Sequence, residues 1–180
     1  DPVEVAHARF LESFGAEGNV MLIGVEDDRL HTAEGLLAWH QLAEDIRALR
    51  VQVDGQPKAI IDSVFAFPNA FKVEKHPTEK RFLLSPVAPD LLGEGSDSLT
   101  DARAKEVVEA VRSLPFYEGL LFNEDNDATL MMVVFDHTML NSAQRGTIVE
   151  DIVALTDAWT AKHGVATYSV SYTHLTLPTN

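Results

Sequence analysis

The sequence contains no cysteine, which excludes a disulfide framework, a thiolate nucleophile and any Cys-ligated zinc or iron–sulfur centre. Cations are scarce: 14 Lys and Arg stand against 28 Asp and Glu, a formal net charge of −14. Phosphate contacts draw their affinity from clustered Lys and Arg, so the balance argues against a nucleic-acid binder. It equally disfavours docking on anionic lipid heads. Long apolar runs are also missing. A membrane-spanning helix needs about 20 mostly apolar residues, and the longest unbroken run extends only from Leu130 to Phe135. The chain opens on Asp1 without a Met, a basic segment or a signal-peptide apolar stretch, so it is expected to be an internal piece of a longer protein.

What the chain does have is core material. Hydrophobic residues make up 46% of its 180 positions, with nine Phe and two Trp, enough for one compact domain or two small ones. The C-terminus is expected to have a different origin, the alternative being a threonine-rich natural tail. Val170 to Thr179 is the translation of gtc tct tat aca cat ctg acg ctg ccg acg, the sequence of a transposon-end adapter used in preparing sequencing libraries. Native sequence is therefore expected to stop near Ser169, leaving 170–180 as an adapter-derived tail in which Tyr172 and His174 carry no biology.

Hydrophobic periodicity predicts the elements. Asn19 to Val25, bounded by Gly18 and Glu26-Asp27-Asp28, predicts a buried strand. Thr32 is a candidate N-cap for a helix whose Leu36, Trp39, Leu42, Ala43, Ile46 and Leu49 recur at helical spacing. Asp54-Gly55 signals a two-residue turn, and Ile60 to Phe67 predicts a strand ended by Pro68. Between His76 and Ser98, Pro77, Pro86, Pro89 and Gly93 to Gly95 predict an irregular, mobile crossover with one short strand at Arg81 to Leu84. A second helix follows from Thr100, its apolar face formed by Ala104, Val107, Val108, Val111 and Leu114, and Pro115 stops it. Gly119 to Phe122 and Ala128 to Phe135 flank a five-residue hairpin loop. Asn141 and Gln144 suit a capping box for a third helix, with Ile148, Ile152, Leu155 and Trp159 on its apolar face; Gly164 ends it, and Ala166 to Ser169 begins a last strand. The order predicts an α+β domain over residues 1–169, of ferredoxin-like (split β-α-β) type, with a mixed, mostly antiparallel sheet and helices on one face.

The chemistry-bearing groups each have an ordinary explanation. Asn123-Glu124-Asp125-Asn126-Asp127 offers oxygen ligands of the kind calcium prefers, but it lacks the central Gly and distant Glu of an EF-hand, and Asn and Asp are favoured in hairpin loops anyway. His7, His31, His40, His76, His137 and His163 form no HExxH and no pair three or four apart, as a metal site on one helix would require. Asp136-His137 follows a strand, where a catalytic dyad can sit, yet no Gly-x-Ser-x-Gly elbow accompanies it. Glu26-Asp27-Asp28 could pair carboxylates for acid–base work, but a solvated acidic loop before a helix explains it better. Gly15 to Gly18 precedes its strand and lacks the Lys-Ser/Thr of a phosphate loop. We therefore assign no catalytic, cofactor-binding or metal-ligating residue from the sequence, expect no cofactor, and expect an interaction or transport module rather than an enzyme.

Several strings together carry a resemblance: Phe10-Leu11-Glu12-Ser13-Phe14-Gly15 leading into Asn19 to Val25, then Ile61-Asp62-Ser63-Val64-Phe65, Lys80-Arg81-Phe82, Leu114-Pro115-Phe116-Tyr117-Glu118-Gly119-Leu120-Leu121, Asp127-Ala128-Thr129-Leu130-Met131 and Leu140-Asn141-Ser142. The series resembles the first large extracytoplasmic loop of bacterial RND-superfamily exporters of the MMPL type. The string from Leu114 to Leu121 and its Ala128-Thr129-Leu130 hairpin partner are the most specific parts. The resemblance implies a porter domain between two transmembrane helices of a proton-driven transporter in the bacterial inner membrane, on the periplasmic side. Its substrate would be a lipid or hydrophobic compound, and its partners the rest of the same chain, including the transmembrane helices and second porter loop, with a homo-oligomer as a further expectation. It also implies a Gly-Leu-Pro-Tyr continuation after Ser169, from which the sequence departs at Val170. Proton-relay carboxylates of such proteins lie in membrane helices, outside this chain. In that setting the stretch from His76 to Ser98 would lie near the substrate path or at a protomer contact. Two other functions fit the residues: a free-standing ferredoxin-like binding module, and a small hydrolase or metal-dependent enzyme using Asp136-His137 or the Asn123-to-Asp127 loop.

Overall fold

The computed structural model describes residues 20–91, 99–123, 128–136 and 143–171. Strand β1 (Val20–Val25) turns Met21, Ile23 and Val25 inward, as a period of two requires. A 3-10 turn at Asp28–His31 then leads to helix α1 (Ala33–Ala48). Thr32 caps it as expected, its hydroxyl accepting the Gly35 N–H at 3.1 Å, and the buried face is Leu36, Trp39, Leu42, Ala43 and Ile46. Strands β2 (Val51–Val53) and β3 (Gln56–Lys58) form a hairpin. Asp54 and Gly55 both have positive φ, 52° and 74°, the requirement of a type I′ turn.

Strand β4 (Ile61–Phe65) carries a register shift between Ile61 and Ser63, so the exposed Asp62 sits at a bulge. After it, the buried Asn69 staples the bend: Oδ1 accepts from the Ala66 N–H at 2.6 Å and Nδ2 donates to the Val64 carbonyl at 2.8 Å. Next come β5 (Phe71–Lys75) and β6 (Phe82–Pro86), then helix α2 (Asp101–Arg112), capped by Thr100. A 3-10 turn at Pro115–Tyr117 precedes β7 (Phe122–Asn123) and β8 (Ala128–Phe135), and helix α3 (Ala143–His163) and β9 (Tyr168–Ser171) complete the order.

The main sheet runs β4-β8-β1-β9, each pair antiparallel, with β7 pairing β8. Hence β1 and β4 are parallel with β8 between them, and β8 and β9 are parallel with β1 between them. Two β-α-β units, joined through α1 and α3, are each split by a strand of the other. The expected α+β class, with mostly antiparallel pairing, is what the chain adopts. Beneath α1 and α3, Met21, Ile23, Val25, Met131, Val133 and Phe135 meet Trp39, Leu42, Ile46, Ile148, Ile152 and Trp159 in one core. A second cluster joins Val107 and Val111 of α2 to Leu36, Phe67, Leu91, Leu121 and Phe122. There α2 packs against α1 and the 3-10 turns.

Three expectations change in detail. Half of the supposed irregular crossover (76–98) belongs to a regular hairpin, in which Phe71 to Lys75 pairs with Phe82 to Pro86. Alternation of Phe71 and Val73 with Lys72 and Glu74 fits a strand, and Pro68 ends only the preceding one. Pro86 is tolerated because it closes a two-stranded sheet. Gly93 to Gly95 lie outside the described residues. The strand expected at Gly119 to Phe122 starts only at Phe122, because Gly119, at φ 76°, turns the chain and donates to the Phe122 carbonyl at 2.7 Å. Finally, β9 pairs through Val170 with Leu22 and through Ser171 with Met21, two residues past the expected end of native sequence. Backbone pairing makes little demand on side-chain identity.

Candidate functional site

Among the described residues the sequence candidates do not converge. Asp136 follows β8 and its N–H donates to the Ile60 carbonyl at 2.9 Å, while His137 lies outside the described residues. Asn123 ends β7, and 124–127 of the acidic loop, like His7, Gly15 to Gly18 and Asn141, are also outside them. Among the described residues no group of three or more His, Asp or Glu could hold a metal, and no helix is long and apolar enough to cross a membrane. His31 Nε2 lies 3.0 Å from the hydroxyl of the buried Thr129. His76 Nδ1 accepts from the N–H groups of Thr78 and Glu79 at 3.3 and 3.1 Å. Both are structural positions.

Of the acidic run, Asp27 acquires a defined role. Its carboxylate caps the 3-10 turn, accepting from the Arg29 N–H at 2.9 Å, and also receives the guanidinium through Nε at 2.9 Å and Nη2 at 2.6 Å. Those hydrogen bonds hold the Asp27 carboxyl below its ordinary pKa and raise that of Arg29. From the same Nη2, Arg29 donates at 2.9 Å to the carbonyl of Gly164, the residue that ends α3 at φ 66°. One side chain therefore ties the end of β1 to the end of α3 across 135 residues of sequence.

Arg29 also borders a cleft of about 310 Å³ between the first turn of α1 and the last turn of α3. Glu34 and Thr32 line its polar side, and Leu30, Ala38, Trp159 and Val165 its apolar side. Trp159 is held from two directions: its indole N–H donates to the Ala38 carbonyl at 3.1 Å, and its ring stands edge-on to Trp39 at 5.3 Å. His163, 5.0 Å from the Trp159 ring, closes one end. Because Arg29 is already paired with Asp27 and Glu34 lines the same side, the cleft offers an apolar wall and hydrogen-bonding groups rather than a free cation. No hydroxyl or amine in the cleft is set against a base as an activated nucleophile requires.

A second junction lies in the cluster that joins Tyr117 to Leu36 and Leu37 of α1. The resemblance-bearing segment Leu114 to Leu121 folds as the Pro115–Tyr117 turn, and the Tyr117 hydroxyl both accepts from the Phe71 N–H and donates to the Phe71 carbonyl, each at 2.8 Å. This clamps the foot of the β5–β6 hairpin. Burial pushes the Tyr117 phenol up from its ordinary value. Tyr117→Phe is expected to lose both bonds, at a cost of roughly 1–3 kcal/mol, and to raise amide exchange over 71–86 while leaving β1 and β8 protected; exchange mass spectrometry checks it.

His40, on α1, is half-buried with an Nδ1 that has no hydrogen-bond partner. Burial lowers its pKa from the ordinary 6.5, opposed by Glu44 and assisted by Arg47. The unfolded chain then binds more protons than the folded one, so stability is full above the unfolded pKa and falls as pH drops through about 6.5 toward the folded value. Chemical denaturation between about pH 7.5 and 5.5 should show a shallower decline in His40→Gln than in the wild type.

Sequence reasoning missed Arg29, Asn69 and Tyr117. An Asp-x-Arg pair at a strand end hinted at the first, but the Gly164 contact is long-range and leaves no local mark. No protein-family model, curated protein or solved structure matches this chain.

Proposed function

We propose that the chain is an extracytoplasmic porter domain of a proton-driven, MMPL-type RND exporter that moves lipids or other hydrophobic compounds, and that its sheet is ferredoxin-like. The observation that carries this is the strand order β4-β8-β1-β9 with both β-α-β units split, on which the resemblance-bearing segments take up structural positions. Ile61 to Phe65 is the bulged edge strand β4. Leu114 to Leu121 is the Tyr117 clamp, and Ala128 to Met131 opens the central strand β8. A porter must rock as a stiff body while its connections yield. The core under α1 and α3 gives stiffness, and the clamp joins that body to the β5–β6 hairpin.

In this reading the proton relay and the transmembrane partners lie in the rest of that longer chain, so no residue here is assigned to proton transfer. A second reading, a free-standing binding module, gains support from the cleft between the first turn of α1 and the last turn of α3. Expression of the longer reading frame that contains this chain separates the two. Cells carrying it are expected to retain less of a hydrophobic dye, and a protonophore should abolish the difference. Unchanged dye retention with a folded, membrane-inserted product would contradict the exporter.

A further inference from the structure

The β5–β6 hairpin has two unlike faces. Opposed residues of an antiparallel pair share a face, so the pairs Val73/Leu84 and Lys75/Phe82 lie on one side and Lys72/Ser85 and Glu74/Leu83 on the other. The second side is satisfied within itself: Lys72 Nζ lies 3.0 Å from Glu74, which also accepts from the Ser85 hydroxyl at 3.0 Å. On the first side Val73, Leu84 and Phe82 are 54%, 73% and 74% exposed. Six large hydrophobic residues are exposed among the described residues, and three of them, including the two most open, share this one face.

The hairpin is nonetheless well built. Tyr117 clamps Phe71, the Val87 N–H donates to Ala70 at 2.8 Å, and the tip is closed by the His76 N–H on the Arg81 carbonyl at 2.9 Å. A two-stranded ribbon is marginal in water on its own. Here foot and tip are secured while the apolar face stays open, which is the form of a docking arm.

Charge identifies what the arm fits. Residues 71–86 hold four of the 14 cations, Lys72, Lys75, Lys80 and Arg81, and two of the 28 acids, Glu74 and Glu79. The arm is therefore +2 and the remaining chain −16. The whole-chain balance conceals this segregation. Screening over about 8 Å at physiological salt lets the local charges govern a contact despite the net repulsion between two acidic molecules.

We propose that a second copy of this chain is the partner: the arm of each copy lies on the acidic body of the other, burying Val73, Phe82 and Leu84, in a reciprocal pair that closes about a two-fold axis. The contact is small, so its dissociation constant is on the order of 10–100 μM. This holds whether or not the exporter reading does.

Sedimentation equilibrium of the purified chain tests it. A dimer that weakens with added salt is expected. Phe82→Ser/Leu84→Ser should weaken it at least about tenfold, and Lys75→Glu/Lys80→Glu should do the same while flattening the salt dependence. All four positions are exposed, so the melting curves of the variants should overlay that of the wild type. A photo-cross-linking residue at position 84 of the otherwise unaltered chain should join two copies and map to an acidic surface segment. A monomer throughout this range, a dimer undiminished in the double serine variant, or a monomer that floats with phosphatidylglycerol vesicles through Phe82 would each overturn the proposal, the last in favour of a lipid surface.

Discussion

Alanine at Gly35 is expected to destabilise the domain by about 3 kcal/mol, the upper end of the cost of overpacking, although helix propensity alone gives alanine an advantage of about 1 kcal/mol over glycine. Gly35 lies in the first turn of α1, and a Cβ there would run into the Arg29 carbonyl oxygen and come within 2.7 and 2.8 Å of the Leu30 Cα and carbonyl carbon. These are backbone atoms of the 3-10 turn and cannot swing aside as a side-chain tip could. The turn must be pushed off α1, disturbing the Asp27–Arg29–Gly164 tie and the cleft beside it. A fall in melting temperature of roughly 6–12 °C follows for a domain of this size. Gly146, also helical, has nothing within 4 Å of its Cβ position, so Gly146→Ala should stabilise by about 0.5–1 kcal/mol. Opposite signs for one chemical change isolate the close approach as the cause; two thermal scans measure it.

Trp39→Ala should cost about 3–5 kcal/mol, a large part of the 5–15 kcal/mol that typically holds a domain together. Trp39 is wholly buried where the two split units meet, under Trp159 and within the core that contains Met21, Val133 and Ile152. Its removal empties the space between α1 and α3. Trp39→Phe should cost far less, roughly 1–2 kcal/mol. The indole N–H is buried with no hydrogen-bond partner, so replacing the indole by a phenyl ring relieves an unpaid desolvation while keeping most of the packing. Denaturant titration of the two variants orders them, and equal losses would show that Trp39 contributes through something other than its volume.

Local patterns made most of the fold legible. Period-three-and-four apolar spacing gave α1 and α2, Asp54-Gly55 marked its hairpin, and Thr32 and Thr100 act as caps through their own hydroxyls. The β5–β6 hairpin was obscured because a half-exposed strand of Phe, Val, Lys and Glu has little hydrophobic contrast, and prolines nearby resemble loop punctuation. Candidate sites were harder to find. Sequence reasoning ranks residues by chemistry, which favours histidines and acidic runs. Arg29 and Tyr117 instead matter through contacts 135 and 46 residues away, and only the folded sheet brings those partners together. The segregation of charge onto the arm was hidden for a related reason, since a sum over the chain has no positions in it.

The exporter reading rests on the place of this domain within a longer chain, so the most direct measurement is a long-read sequence of the source DNA through both ends of the segment. The account predicts an apolar stretch of about 20 residues upstream of Asp1 and, after Ser169, a Gly-Leu-Pro-Tyr continuation leading into a second such stretch. A start codon just upstream of Asp1 with a stop directly after Asn180 would contradict it.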